Sequence, residues 1–129
     1  ESLPPHHRVT FLGPRSDVPE LMSACDLAIH ASVEPEPFGL VVPEAMALGT
    51  FVAASSLGGP AEVITEGSGC LFDPGRPEEL AGIIEGVALG TLAPPEAIRI
   101  MGRAEAFHVR NTVRKMESLW FGVLEGRRR

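Results

Sequence analysis

Four short apolar runs, at residues 9–12, 27–31, 51–55 and 69–72, are separated by stretches that read as helix. The first run closes on Gly13 and Pro14, a strand followed by a turn. The run at 27–31 shows no polar–apolar alternation, which fits a strand buried on both faces. Strands that alternate with helices predict a parallel sheet covered by helices. The chain is therefore expected to be α/β, with a Rossmann-like parallel sheet of about four strands, flanking helices and a helical C-terminal tail.

Local signals place the helices. Asp17 is positioned to cap the first, with Glu20 completing a capping box, and the helix runs to about Cys25. Glu34-Pro35-Glu36-Pro37 cannot be helical, because each proline disfavours the α region in the residue before it. A helix is predicted over 39–48, closed by Gly49, and another from Pro60 to Ile64. Asp26 and Asp73 read as cap and turn residues. Beyond Gly75 only helices are predicted. Leu80, Ile83, Ile84 and Val87 share one face between Pro77 and Gly90. Pro94 and Pro95 open a helix presenting Ile98, Met101 and Ala104, and a last one over 111–124 presents Val113, Met116, Trp120 and Val123. All three stripes read as core.

Composition narrows the function. The 129 residues suffice for one core and not two. A net charge of −6 leaves no basic field for a phosphate backbone, so nucleic acid is not an expected partner. Arg127, Arg128 and Arg129 read as a solvated end, and His6 and His7 as a disordered start. No apolar run reaches membrane-spanning length. Cys25 and Cys70 fit no metal pattern and read as two reduced, buried thiols of a cytoplasmic protein. No His, Asp or Glu cluster has metal-ligand spacing.

The chemistry concentrates in residues 34–62: a loop with carboxylates, a helix N-terminus, a strand and a diglycine loop. A helix N-terminus offers unpaired N–H groups and partial positive charge, which suit a phosphate. Phe38, Gly39 and Leu40 would supply those amides, and Gly39 lets a ligand approach the backbone. Gly58 and Gly59 could offer a second approach at a neighbouring strand end. Glu36 before the helix and Glu44 inside it could accept hydrogen bonds from vicinal hydroxyls. Phosphate held by amides and hydroxyls held by carboxylates together describe a sugar-nucleotide site. The plainer alternative has Glu36 capping the helix and Glu44 on a solvated face. His30, ending the strand before this loop, could touch a ligand or be a hydrogen-bonded structural residue.

Glu36, seven residues, then Glu44 matches the E-x7-E motif of the family-4 glycosyltransferases of the GT-B fold. Glu36-Pro37-Phe38-Gly39-Leu40, Glu44-Ala45-Met46-Ala47, Gly49 and the run from Gly58 through Ile64 all resemble the family's pattern. So do Phe11-Leu12-Gly13, Gly69-Cys70-Leu71-Phe72 and Leu80-Ala81. The resemblance covers residues 8–88, the nucleotide-sugar-binding α/β part, and extends loosely over the helical tail at 89–129. It implies that residues 1–129 are a single partial domain, a truncated GT-B C-terminal domain. It further implies retaining hexosyl transfer from a nucleoside diphosphate sugar, with no metal and no cofactor. Glu36 would meet the donor sugar as the catalytic carboxylate, and Glu44 the ribose. Phe38, Gly39 and Leu40 would meet the sugar and diphosphate, and the loop of Gly13 and Arg15 the base. A non-catalytic nucleotide-sugar-binding or interaction module is the alternative; epimerase chemistry ranks last. Two departures stand out: Phe51 where the family usually has proline, and Pro43 in the first turns of the helix, which would delay its start.

The family's acceptor site lies in an N-terminal domain that would be missing here, so the isolated chain is expected not to transfer sugar. Strand order in the family would also leave the run at 9–12 separated from that at 27–31 by two absent strands. Three outcomes follow: a piece of a longer chain, a closed-up four-strand sheet, or a homodimer through exposed sheet edges. The closed-up sheet is the expectation, with residues 9–12 laddered beside 27–31.

Overall fold

The computed structural model describes residues 9–126; His6, His7 and the terminal Arg127, Arg128 and Arg129 lie outside the described residues. Three strands and six helices follow in the order α1 (Val18–Ala24), β1 (Ala28–His30), α2 (Val41–Ala47), β2 (Val52–Ser55), α3 (Pro60–Val63), β3 (Cys70–Phe72), α4 (Pro77–Ala88), α5 (Ala97–Glu105) and α6 (Val109–Gly126). The sheet is parallel in the order β1-β2-β3, with Ala28 opposite Val52, His30 opposite Ala54, and Ala53 opposite Cys70. β2 is central and wholly buried, which is why Val-Ala-Ala-Ser needs no polar alternation.

The fourth strand is not there. Residues 9–12 join no ladder, and the sheet has three strands. A strand is stabilised when its side chains bury as its backbone pairs. Phe11 is 95% exposed and Val9 and Leu12 are more than half exposed, so this segment has no apolar surface to lie on.

The core gathers Val42, Ala45 and Met46 of α2, Phe51, Val52 and Ala54 around β2, Val63 and Ile64 around α3, and Ile100 and Ala104 of α5. Phe51, standing where proline was expected, is a packing residue. α2 begins at Val41, two residues after the predicted start. Pro43 is buried within its first turn, where a missing N–H costs no helical bond.

Several predicted details differ. Asp17 precedes α1 but makes no capping bond, because its carboxylate is held by Arg15. Cys25 is exposed, its thiol donating to the Leu21 carbonyl, whereas Cys70 is partly buried and burial pushes its thiol up. α4 buries no residue fully, though Val87 packs against the core. In α5 the buried pair is Ile100 and Ala104, and Ile98 is 71% exposed. In α6 no residue is buried: Val113, Met116, Trp120 and Val123 all face outward. Asp73 is a turn residue as expected, accepting from the Gly75 amide at 2.8 Å.

Candidate functional site

The loop that carries Glu36 is bolted to the loop that follows β2. Glu36 forms an isolated parallel bridge with Gly58, and the Gly59 amide donates to the Glu36 carbonyl at 2.8 Å. A side chain on Gly58 would start 2.3 Å from the Glu36 carbonyl oxygen, and one on Gly59 would start 2.3 Å from the Cα of Phe38. Both distances are impossible, and Gly58 also has φ +75°. The diglycine is therefore spent on the protein's own backbone crossing, not on an approach by a ligand as its sequence suggested.

That crossing sets the Glu36 carboxylate over the turn that opens α2. Its carboxyl carbon lies 3.7 Å from where a side chain on Gly39 would begin. The α2 N-cap position is Leu40 and no side chain caps the helix, so Glu36 is not a cap. It is paired instead with His30, whose Nε2 hydrogen-bonds Glu36 Oε2. The His30 side chain is 11% exposed and that of Glu36 38%, leaving the carboxylate open on one side. Within the described residues, no backbone hydrogen bond is donated by the amides of Phe38, Gly39, Leu40 or Val41. Four successive N–H groups at a helix start, beside an accessible carboxylate, form a polar edge without internal partners.

Glu44 lies one helical turn beyond Leu40 and is exposed. A cleft of about 300 Å³ runs past it, walled on the α2 side by Phe38, Leu40 and Pro43 and on the α5 side by Met101, Phe107 and His108. Phe38, Leu40 and Glu44 thus meet in one cleft. Glu36 does not line it, and neither do Gly13 and Arg15. Arg15 is occupied by Asp17, donating from Nε at 2.7 Å, and its guanidinium holds the Asp17 carboxyl below the usual range.

The far wall is where reasoning from sequence missed residues. Phe107 packs against Phe38 with ring centroids 5.7 Å apart and a tilt of 57°. Arg103 lies 4.8 Å from the Phe107 ring centroid, and its Nε donates to the Val63 carbonyl at 2.7 Å. Its other arm reaches the Glu62 carbonyl, so the guanidinium closes the C-terminal end of α3. α5 and the turn after it thereby hold both the motif's aromatic residue and the helix after the diglycine. The only local signal was a basic residue four positions before a phenylalanine; the contacts span forty residues.

A parallel sheet flanked by helices, with a carboxylate loop and helix start beyond the ends of β1 and β2, is the C-terminal domain architecture of GT-B glycosyltransferases. The sequence pattern of the family Glycosyl transferases group 1 matches residues 1–96, and the chain belongs to that family. It is 36% identical over 124 residues to the N-acetyl-alpha-D-glucosaminyl L-malate synthase of Bacillus anthracis, covering 91% of this chain and 31% of that protein. It is 40% identical over 96 residues to the D-inositol 3-phosphate glycosyltransferase of Segniliparus rotundus, covering 74% of this chain and 20% of that one. The fold superposes on Anabaena HepE, solved in complex with UDP-glucose, with a TM-score of 0.75 and 39% identity, over 88% of this chain and 32% of that one. The chain thus spans about a third or less of the length of these relatives. Among the described residues no helix is long and apolar enough to cross a membrane.

Proposed function

We propose that this chain supplies the donor site of a retaining hexosyltransferase, binding a nucleoside diphosphate sugar at the start of α2. The observation that carries this reading is the run of amides from Phe38 to Val41 that have no backbone partner among the described residues, with the Glu36 carboxylate over the same turn. Amides and helix dipole would take the diphosphate, stabilising the charge that develops on the leaving group. Glu36, half open to solvent, would accept from the donor sugar's hydroxyls. Glu44, on the exposed face one turn on, would accept from the ribose. Arg15 could meet the base only by leaving Asp17. HepE, which is similar over 88% of this chain, is solved with UDP-glucose, which makes a uridine nucleotide the first donor to try. Transfer itself is proposed for the whole protein; the 129-residue chain is expected to bind a donor and give no steady product.

Calorimetric titration of the chain with UDP-glucose, GDP-mannose and ADP-glucose tests this. Saturable binding of at least one is expected. Glu44→Ala should weaken it by about 1.5–3 kcal/mol, the worth of a charged hydrogen bond. Equal binding of that donor by the unsubstituted chain and Glu44→Ala would remove Glu44 from the site.

A further inference from the structure

We propose that His30 is a positioning residue for the donor sugar: its Nε2–H holds one oxygen of the Glu36 carboxylate and leaves the other aimed at the ligand. The proposal rests on the reading of Glu36 as the sugar contact.

The two partners sit on unequal supports. His30 ends β1 and pairs in register with Ala54 of the buried central strand, so its backbone is fixed by the sheet. Its ring is nearly enclosed. Glu36 sits on a loop anchored by backbone through Gly58 and Gly59, which fixes its Cα and not its χ angles. A glutamate side chain left free would sample several rotamers, and ordering it on binding costs free energy. A hydrogen bond from a rigid strand end removes that freedom before the ligand arrives.

The proton can be placed by elimination. A carboxylate accepts only, so the nitrogen facing it, Nε2, must carry the hydrogen. Nδ1 is buried and without a hydrogen-bond partner among the described residues. Among the described residues, the one hydrogen-bond partner of the imidazole is Glu36. Among the described residues only one Glu36 oxygen is engaged, and the side chain is 38% exposed, so the other oxygen has no partner to displace.

The test compares binding of UDP-glucose with binding of UDP by the full 129-residue chain, since only the former contains the sugar. His30→Asn keeps a polar group but cannot reach Glu36. It should raise the Kd for UDP-glucose about ten-fold, on the scale of one charged hydrogen bond, and leave that for UDP unchanged. His30→Gln puts an amide donor near the position of Nε2 and should recover most of the loss. Glu36→Gln serves as the control for the site. If Glu36→Gln leaves the ratio of the two constants unchanged, or the unsubstituted chain binds neither these ligands nor GDP-mannose or ADP-glucose, the donor-site reading fails and the proposal with it. If Glu36→Gln changes the ratio and neither His30 variant does, His30 positions nothing. If the His30 variants weaken UDP and UDP-glucose equally, its role is general support of the fold. Nitrogen-15 spectra of the unsubstituted chain give a reading independent of variant folding: a His30 ring bearing its proton on Nδ1 alone would also overturn the proposal.

Discussion

The two C-terminal helices are neighbours in sequence, both amphipathic, and the molecule treats them oppositely. α5 buries Ile100 and Ala104 against α2, sends Arg103 to the end of α3, and is followed by Phe107 in the wall of the cleft. α6 is twice as long, 18 residues against 9, and buries none. The difference lies in what faces them. Gly49 ends the α2 turn without a side chain, so Ala97 can approach to 3.1 Å of the point where one would start, with Met101 just beyond. α5 packs closely there. Nothing comparable receives α6 among the described residues, and Trp120 stays 62% exposed. Helical periodicity shows that a helix has an apolar side; whether that side is core depends on a complementary surface elsewhere.

This contrast can be broken or sharpened by substitution. Ile100→Ala empties a fully buried site between α5 and α2 and should lower unfolding stability by about 2–5 kcal/mol in denaturant titration. A loss below about 1 kcal/mol would show that α5 is as loosely held as α6. Arg103→Met keeps the packing stem and removes the guanidinium. With the carbonyls of Glu62 and Val63 left without it, a loss of about 1–3 kcal/mol is expected. That loss should be accompanied by faster amide exchange in α3. Trp120→Ser removes the largest side chain of α6 and should change stability by less than about 0.5 kcal/mol, because that side chain stays mostly exposed. A larger drop would mean that α6 has a partner surface in solution.

The same distinction explains what the sequence could and could not disclose. Three strands and six helices were legible within a few residues because turn and cap chemistry is local: Pro77 and Gly90 bracket α4, and Pro60 opens α3. Residues 9–12 have the composition of a strand, but pairing is a property of a neighbour that the segment does not encode. The motif segment was legible as a loop, a helix start and a diglycine. The use of Gly58 and Gly59 was not, because the close approach they permit is to Glu36 and Phe38, some twenty residues earlier. Arg15 looked available for a ligand until Asp17, two residues on, was seen to hold it. Phe107 in the cleft wall and Arg103 behind it gave no local sign of these contacts, since what they touch is set by how α5 lies on α2.

The start of α2 is proposed as the ligand site, and the exposed tail is not. Titrating the nitrogen-15-labelled chain with UDP-glucose and following every backbone amide tests it most directly. The largest shift changes are predicted at Phe38, Gly39, Leu40 and Val41, with smaller ones around Glu44 and none along α6. Changes centred on α6 or around residues 9–15, with the amides of Phe38 to Val41 unmoved at saturation, would contradict it.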